Sequence, residues 1–350
     1  MKKLNIGLLG YGFVQKEFHV PSYKEIAEAN IVAVGGRTES AVKEFANTFG
    51  IKTAYSGDDF VERLCKDSEV DVVDIGIPNF LHKKAVVLAA ENGKHVICEK
   101  PLARNVEEAK AMLRAVEKAG VIHCYAENQV FMPHITKVKE LISKGSIGNV
   151  FWIRSREAHF GPHSRWFWDP DLAGGGVLMD MGCHSVEVAR YLIGKKPVEA
   201  YAWGATLVHK TMAEDNSLAL VKYEEGKLGQ SENSWAAHGG LDLRYEVYGS
   251  DGAFFVNPTR ETGISVFTVA SEDKVGYMVE KAETKKGWMH PIWREHELYG
   301  YLFELQHFVS CILKDEKPKE TFEDGYNVNC VLDACYGSMK SGKWEPVSFR

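Results

Sequence analysis

The stretch Leu4-Asn5-Ile6-Gly7-Leu8-Leu9-Gly10-Tyr11-Gly12 joins a short apolar run to two closely spaced glycines. When such a GxG turn follows a strand and precedes a helix, the first glycine permits the tight turn and the second lets the backbone approach a pyrophosphate. The amides and the dipole at the start of the helix then hold the phosphates. The full pattern has a third glycine where this chain has Gln15, so a plain strand-to-helix turn is the alternative. The dinucleotide contacts predicted here are Gly10, Gly12, Phe13 and Val14.

The region up to about residue 125 alternates short apolar runs with helical patterns, several of which stop at a glycine. Strands separated by helices of about 10–15 residues predict a parallel sheet with βαβ crossovers, and therefore an α/β fold. After the first strand, the predicted strands are Ile31–Val34, Val70–Ile77, His95–Cys98 and Val121–Tyr125. The predicted helices are Glu39–Phe49, Leu81–Asn92 and Val106–Ala119.

The pattern changes after that region. Apolar and polar residues alternate with period two, and few helices separate the predicted strands, which favours an antiparallel sheet. The predicted strands are Val150–Ala158, Val198–Leu207, Ser217–Tyr223, Gly229–Trp235 and Arg244–Gly249. The predicted helices are Ile135–Lys144, Val177–Leu192, Tyr301–Leu313 and Asn327–Ser341.

The composition excludes several classes of protein. The chain has 350 residues, 45% of them hydrophobic, which is enough for two domains with large cores. The net charge of −6 and the absence of a basic tract argue against nucleic acid as a partner, and no apolar run of about 18 residues predicts a membrane span. Seven cysteines without CxxC spacing indicate reduced thiols, and the start Met1-Lys2-Lys3 lacks a secretory signal, so we expect a cytoplasmic protein.

The end of the second predicted strand bears on the choice of cofactor. NAD-binding folds usually place Asp or Glu there to hold the ribose hydroxyls, whereas this chain reads Gly35-Gly36-Arg37-Thr38. With no carboxylate to repel it, a 2′-phosphate could bind Arg37 and the hydroxyl of Thr38. We therefore predict contacts from Gly36, Arg37 and Thr38 and a preference for NADP over NAD. Stacking of Arg37 on the adenine, which suits either cofactor, is the alternative.

Two long motifs stand out in the rest of the chain. The first is Ile77-Pro78-Asn79-Phe80-Leu81-His82, followed by Gly93-Lys94-His95-Val96-Ile97-Cys98-Glu99-Lys100-Pro101-Leu102. The second is Gly174-Gly175-Gly176-Val177-Leu178-Met179-Asp180-Met181-Gly182-Cys183-His184. Together with His19, Ile147–Val150 and Glu323–Gly325, these runs resemble the Gfo/Idh/MocA oxidoreductases, the family named for glucose–fructose oxidoreductase and inositol dehydrogenase. The resemblance covers nearly the whole chain, and it departs from the family pattern at Gln15 and Gly36.

The resemblance implies a fold, an assembly and a reaction. It implies a Rossmann domain followed by an α/β domain with a large, open, mainly antiparallel sheet, which in the family often forms a dimer or tetramer interface. We therefore predict domains at residues 1–125 and 126–350, with closing helices that could pack back on the first domain. The resemblance also implies hydride transfer between a secondary alcohol of a sugar or cyclitol and NAD(P). The expected assembly is a homodimer or homotetramer.

The implied chemistry needs a general base and stabilisation of a developing alkoxide, while the cofactor takes the hydride. Lys100 follows a strand at the carboxyl end of the parallel sheet, where its ammonium could bind the substrate oxygen; a solvated surface lysine is the alternative. Asp180 and His184 are four residues apart and share one helix face, so we predict His184 as the acid/base and Asp180 as its partner. The alternative is a pair on the helix surface. The glycines before them are expected to give the backbone room beside a ligand.

Further cofactor contacts are predicted where the chain leaves the strands of the parallel sheet. The resemblance places the loop with Asn79 and His82 beside the nicotinamide ribose; for His82 the alternative is a helix-terminal residue without a ligand. Glu99 could hold a ribose hydroxyl or pair with Lys100, whose peptide bond to Pro101 is expected to be cis. The remaining predicted cofactor contacts are Pro78, Asn79, His82, Glu99, Lys100 and Asn128.

The segment 159–168 is rich in aromatic and polar residues and is interpreted as part of a substrate wall, with a packed loop as the alternative. Aromatic faces stack on the C–H surfaces of sugars, and flanking polar groups read hydroxyls. His159, His163, Asp180 and His184 could also bind a metal ion, but no ligand spacing supports this, so we predict no metal. The predicted substrate contacts are Gln129, His163, Arg165, Trp166 and Trp168.

Two other functions fit parts of the pattern. The same residues could oxidise a substrate only transiently, with tightly held cofactor, and so drive glycoside cleavage or epimerisation without net redox change. A non-catalytic NADP-binding regulator could share the fold, but it would be expected to lose Lys100 or the Asp180–His184 pair, and all three are present.

Overall fold

The computed structural model describes residues 3–269 and 277–349. Met1 and Lys2, which belong to the segment judged to lack a secretory signal, lie outside the described residues. The chain divides into two compact units. The first comprises Met1–Phe131 and Tyr299–Asn329, and the second comprises Met132–Leu298 and Cys330–Arg350. Among the described residues, no helix is both long enough and apolar enough to cross a bilayer.

The first unit contains a six-stranded sheet in which every neighbouring pair is parallel, in the order β3-β2-β1-β4-β5-β6. The order reverses between β1 and β4, as in a doubly wound dinucleotide-binding fold. The predicted Rossmann sheet is thus confirmed, with one strand more than expected. The strands are β1 (Leu4–Leu9), β2 (Ala29–Gly36), β3 (Thr53–Ser56), β4 (Val72–Ile75), β5 (His95–Glu99) and β6 (His123–Ala126).

Helices cover this sheet because their apolar residues recur on one face; the buried positions of the helix Glu39–Phe49 are Val42, Phe45 and Ala46. Two helices end at Gly50 and Gly120, each in a left-handed conformation that glycine adopts without strain. The helices that alternate with its strands are α1 (Val20–Glu25), α2 (Glu39–Phe49), α3 (Phe60–Cys65), α4 (His82–Glu91) and α5 (Val106–Ala119).

The second unit contains a seven-stranded sheet in the order β12-β11-β7-β10-β9-β8-β15. It is mainly antiparallel, as predicted, but β10 pairs with β7 in parallel. A two-stranded sheet is formed by β13 and β14. The strands are β7 (Val150–Ala158), β8 (Pro197–Ala205), β9 (Asn216–Tyr223), β10 (Leu228–Ser234), β11 (Asp242–Gly249), β12 (Gly252–Val256), β13 (Val266–Thr268), β14 (Gly287–Met289) and β15 (Glu345–Pro346).

One face of the seven-stranded sheet is covered by helix Cys183–Ile193, which packs on β7 and β10. On the other face apolar side chains are exposed: Tyr201 and Trp203 alternate with buried alanines along β8, and Trp203 lies opposite exposed Leu218 of β9. We call this surface the open face.

The remaining helices are α6 (Pro133–Ser143), α7 (Pro170–Ala173), α8 (Cys183–Ile193), α9 (Glu295–Leu298), α10 (Tyr301–Lys314) and α11 (Phe322–Ser341). Of these, α10 belongs to the first unit.

Candidate active site

The GxG turn leaves β1 and enters a helix at Phe13. Gly10 has a φ of +112°, and a Cβ there would lie 2.3 Å from the carbonyl oxygen of Gly76, so only glycine fits. A Cβ on Gly12 would meet nothing within 4 Å, which leaves open space beside the helix start. This geometry suits a pyrophosphate, because the first amides of a helix have no partner within it.

Gln15, at the position of the missing third glycine, is fully buried. Its Nε2 donates to Oδ1 of Asp74 at 2.8 Å, and a Cβ on Gly76 would lie 2.7 Å from the same nitrogen. The side chain therefore fills space that Gly76 leaves free and connects the first helix to the end of β4. Gln15 replaces the third glycine of the pattern because its side chain packs beside Gly76 and bonds Asp74.

The end of β2 has no room for a side chain at Gly36, because a Cβ there would lie 2.2 Å from the ring of Tyr11. A carboxylate at this position would require Tyr11 to move. Arg37 and Thr38 are exposed, and Nε of Arg37 donates to Oδ1 of Asp58 at 3.3 Å. The two predicted ribose-side residues are thus accessible, and the charge of Arg37 has an acidic neighbour.

The loop after β4 carries Pro78, buried Asn79 and buried His82. The Nε2 atom of His82 is 2.8 Å from the carbonyl oxygen of Ile77, and Nδ1 is 3.2 Å from that of Leu102. Burial lowers the pKa of His82, so the ring is neutral at physiological pH. His82 braces this loop through the backbone, a contact that the sequence pattern does not reveal.

The end of β5 positions Glu99 and Lys100. Glu99 is buried, and its Oε1 lies 2.9 Å from Nε2 of His19, while its Oε2 accepts the backbone N–H of Lys100 at 3.1 Å. Lys100 itself is half-buried, and its peptide bond to Pro101 is cis, as the resemblance implies. Both oxygens of Glu99 are therefore engaged within the first unit.

Asn128 and Gln129 are buried where the chain leaves β6. The amide of Asn128 donates to the carbonyl oxygen of Tyr299 at 2.8 Å, but its Oδ1 is buried without a hydrogen-bond partner among the described residues. A buried polar atom without a partner is costly, so the position favours a ligand that donates a hydrogen bond to Oδ1.

In the second unit, Asp180 lies in the π-helical turn Leu178–Gly182 and His184 lies in the first turn of α8. Both side chains are only 4% exposed, which excludes the alternative of a surface pair. Nε1 of the fully buried Trp235 donates to Oδ2 of Asp180 at 3.1 Å. The carboxylate is thus oriented by a partner that the sequence did not identify.

The glycines before Asp180 serve packing. A Cβ on Gly175 would lie 2.0 Å from the hydroxyl of Tyr336, and one on Gly176 would lie 2.2 Å from the carbonyl oxygen of Glu214. The carboxylate of Glu214 also accepts the amides of Gly176 and Leu178 at 3.1 Å. The expectation that this run makes room for a ligand is therefore wrong for Gly175 and Gly176, because protein groups occupy the space.

Segment 159–168 contributes to a polar group that we call the His159 cluster: His159, His163, Glu280 and Lys281. Nε2 of His163 is 2.7 Å from Oε1 of Glu280, and Nζ of Lys281 donates to the carbonyl oxygen of Gly161 at 2.6 Å. Burial lowers the pKa of His159 to about 3, and its Nδ1 has no hydrogen-bond partner among the described residues. No local pattern indicated Glu280 or Lys281, which lie more than one hundred positions after this segment.

The same cluster bears on the question of a metal. Ligand atoms of His159, His163 and Glu280 lie within 4.8 Å of one another, a spacing that a cation could bridge. However, His163 and Glu280 already bond each other, and the nearby charge of Lys281 repels a cation. The arrangement is better suited to hydroxyl groups.

The aromatic residues of the segment divide into two groups. Trp168 packs against the buried Trp235 with ring centroids 5.3 Å apart, so it belongs partly to a small core. Trp166 stacks on Phe167 at 3.7 Å and is half-buried, while Arg165 is exposed. The packed-loop interpretation therefore holds for Trp168, whereas the substrate wall stays a prediction for Trp166 and Arg165.

Comparison with known proteins places both halves of the chain. Residues 4–127 match an oxidoreductase family with an NAD-binding Rossmann fold, and residues 135–255 match the GFO/IDH/MocA C-terminal domain. The chain is 30% identical to the myo-inositol 2-dehydrogenase of Thermotoga maritima, covering 92% of each chain. It is 28% identical to the levoglucosan dehydrogenase of Pseudarthrobacter phenanthrenivorans, covering 99% of each.

The fold has similar solved structures. GenD2 from gentamicin A biosynthesis, in complex with NAD, superposes with a TM-score of 0.91 at 25% identity, covering 99% of this chain and 97% of that one. The similarity therefore extends over nearly the full length of both chains.

Proposed function

Because the chain belongs to the Gfo/Idh/MocA family of oxidoreductases, with an NAD-binding Rossmann fold, we propose that it transfers a hydride between a secondary alcohol of a sugar, glycoside or cyclitol and a nicotinamide cofactor. The family resemblance drawn from the two long motifs is confirmed. The observation that carries the proposal is the burial of Asp180 and His184, with Asp180 held by Trp235. Buried ionisable groups are costly unless they have a function or a partner.

The proposal assigns a role to each candidate catalytic residue. The ammonium of Lys100 binds the substrate oxygen and stabilises the alkoxide that develops as the hydroxyl proton leaves. His184 accepts the hydroxyl proton, because an imidazole titrates near neutral pH. Asp180 accepts a hydrogen bond from a substrate hydroxyl and favours the protonated form of His184 by its charge.

The cofactor fits the residues of the first unit. Open space beside Gly12 and the amides at the start of the following helix suit the pyrophosphate. The Oδ1 atom of Asn128, which has no partner among the described residues, suits a hydrogen-bond donor such as the carboxamide of nicotinamide. Bound there, the cofactor supplies the hydride acceptor. We propose Phe13, Val14, Pro78 and the other predicted residues as further contacts to the cofactor.

We also propose a preference for NADP over NAD. Tyr11 keeps a carboxylate away from position 36, and exposed Arg37 and Thr38 supply a cation and a hydroxyl for a 2′-phosphate. Asp58 opposes this preference, because its carboxylate lies beside Arg37. Comparison of kcat/KM for NADP and NAD tests the proposal, and Asp58→Asn should shift the ratio further toward NADP. A clear preference of the unmodified protein for NAD would contradict it.

The His159 cluster supports a polyhydroxylated substrate. It presents a buried, unpartnered imidazole nitrogen together with a carboxylate and an ammonium, so it offers both acceptors and donors. The ring face of Trp166 adds a stacking surface, and the guanidinium of Arg165 adds hydrogen-bond donors. We propose Gln129 as a further contact to the substrate. This set of donors and acceptors suits several hydroxyls on one ring.

A panel of sugars, cyclitols and anhydrosugars, incubated with NAD or NADP and followed by nicotinamide absorbance, tests the function. Lys100→Met and His184→Ala should bind cofactor but lose turnover, whereas Lys118→Met, an exposed lysine on α5, should keep it. Near-normal rates in either active-site variant would contradict the assignment. Conversion of a substrate with steady absorbance would favour the redox-neutral alternative, and cofactor binding without any conversion would favour a regulator.

We further propose that copies of the chain associate through the open face, where Trp203 and Leu218 form an exposed apolar pair. Trp203→Glu should lower the mass measured by light scattering in solution if a dimer or tetramer forms there, and an unchanged mass would contradict the proposal.

We also propose that the protein resides in a reducing compartment such as the cytoplasm. Seven free, buried cysteines support this location.

A further inference from the structure

The first unit contains a buried chain of polar groups behind Glu99 that the proposed hydride transfer does not use. Nδ1 of His19 lies 2.8 Å from Oδ2 of Asp74, and Nε2 lies 2.9 Å from Oε1 of Glu99. His19 and Asp74 are both 0% exposed. The hydroxyl of Tyr23 donates to the same Oδ2 of Asp74 at 2.7 Å, and Gln15 donates to the other oxygen.

These contacts decide the protonation state of His19. Ionised carboxylates only accept hydrogen bonds, so both ring nitrogens must carry a proton to bond Asp74 and Glu99 together, whereas a neutral imidazole has one N–H. Burial opposes the charge, but the attraction and hydrogen bonds of the two carboxylates outweigh it and raise the pKa of His19 well above 6.5. One cation is therefore buried between two anions.

Glu304 of α10 also reaches this cluster. Its carboxyl group is fully buried, and neither oxygen has a hydrogen-bond partner among the described residues. Burial, helped by the charges of Glu99 and Glu127, raises the pKa of Glu304 well above its ordinary value and favours its protonated form. The hydrogen-bonded ion pairs of the cluster then run from His19 to Asp74 and from His19 to Glu99.

We propose that His19 is a positioning residue: bound as an imidazolium to Asp74 and Glu99 at once, it fixes the carboxylate that holds the backbone of Lys100. The last contact is the N–H of Lys100, which donates to Oε2 of Glu99 at 3.1 Å. Because Asp74 is the penultimate residue of β4 and Glu99 is the last residue of β5, His19 also ties these neighbouring strands to the helix after the GxG turn. The effect on the reaction rests on the proposed role of Lys100.

Loss of the imidazolium would leave Glu99 as a buried charge without its cation. The carboxyl would then take up a proton or turn toward water, and either change alters the acceptor that the backbone of Lys100 binds. Misplacement of a catalytic group by ~1 Å costs on the order of 100-fold in rate. The expected consequence is a kcat that falls by a larger factor than the affinity for the cofactor, because Glu99 is only one of the predicted cofactor contacts.

The first test needs no substrate. Nitrogen-15 NMR of histidine-labelled protein, with His19 assigned by its loss in His19→Gln, should show both ring nitrogens of His19 protonated at about pH 8, above the ordinary histidine pKa of ~6.5. A singly protonated ring at neutral pH would overturn the proposal. Since this measurement is independent of turnover, its failure is distinct from failure of the proposed function.

The second test uses kinetics with a matched control. His19→Gln should lower kcat by about 10- to 100-fold, while the Kd for NADP, measured by nicotinamide fluorescence, should change by a smaller factor. His123→Gln is the control, because His123 bonds the backbone amide of Phe322 and no carboxylate. Equal kcat values for the two variants would overturn the proposal.

If His19→Gln fails to fold, Asp74→Asn and Tyr23→Phe test the same proposal through the pH dependence of kcat. Removing the charge of Asp74 lowers the pKa of His19, so the imidazolium of Asp74→Asn loses its proton at a lower pH. As pH is raised, kcat of Asp74→Asn should therefore begin to fall earlier than kcat of the unmodified protein. Tyr23→Phe keeps the charge and should leave that pH profile in place. Identical profiles for Asp74→Asn and the unmodified protein would overturn the proposal.

Discussion

Replacing Trp235 by phenylalanine should impair turnover while the second unit stays folded. The indole Nε1 donates to Oδ2 of Asp180 at 3.1 Å, and both side chains are buried. Phe167 and Trp168 lie edge-on to Trp235, with ring centroids 6.4 and 5.3 Å away. A phenyl ring keeps part of this packing but cannot donate the hydrogen bond, so the substitution isolates the orientation of Asp180.

The magnitude follows from the hydrogen bond and its environment. A hydrogen bond to a charged group contributes about 1.5–3 kcal/mol. If Asp180 acts in the transition state, that loss appears in kcat, and since each 1.36 kcal/mol is a factor of ten, kcat should fall by about 10- to 100-fold. The smaller ring also leaves a void at a fully buried position, which should lower the free energy of unfolding by about 0.5–3 kcal/mol.

Initial rates of nicotinamide reduction at saturating cofactor measure kcat, and thermal unfolding followed by circular dichroism measures stability. Trp152→Phe is the matched control, because Nε1 of Trp152 is buried without a hydrogen-bond partner among the described residues. If the kcat of Trp235→Phe equals that of Trp152→Phe, the bond to Asp180 does not orient the carboxylate for the reaction and the reasoning is refuted.

Three further predictions concern stability. Asn105 accepts the amide of residue 108 at 2.9 Å and caps α5, so Asn105→Ala should cost about 1 kcal/mol in urea unfolding while Asn105→Asp costs less; equal costs would contradict this. Burial lowers the folded-state pKa of His123 to about 4 and that of His159 to about 3. The unfolded chain takes up these protons first, so the free energy of unfolding should fall as pH drops from ~6.5 toward 4, and His123→Gln should flatten that slope; an unchanged slope would argue against a neutral His123. Gly36→Ala should cost about 1–3 kcal/mol through collision with the ring of Tyr11, and Tyr11→Ala in the same chain should restore stability unless the ring has no part in the effect.

The sequence predicted the elements whose signals are local. The helix Glu39–Phe49 is found at its predicted bounds, because an apolar face and a terminal glycine both lie within it. Strand β3 was missed because Thr53–Ser56 is four residues long and only half-buried, so it lacks an apolar run. The parallel pairing of β10 with β7 depends on strand order, which period-two alternation does not encode.

The same distinction separates the predicted from the missed parts of the site. Asp180 and His184 were found because four-residue spacing places them on one helix face. The partner of Asp180, Trp235, is 55 positions away, and Glu280 lies 117 positions beyond His163. These contacts arise only when strands and loops distant in sequence meet, so no local pattern could reveal them. The run Gly174–Gly176 shows the converse, since glycines that suggested a ligand instead admit Tyr336 and Glu214.

Helix α10 has a consequence for how the protein is made. It belongs to the first unit, and its Tyr301 stacks on Phe18 with ring centroids 4.4 Å apart, yet 169 residues lie between Phe131 and Tyr301. With ribosomes adding about 5–20 residues per second, the first unit waits on the order of ten to thirty seconds for this helix to be synthesised. During that interval Phe18 and the polar cluster beside it have no cover from α10, so the nascent chain offers a binding site to chaperones until α10 has been synthesised.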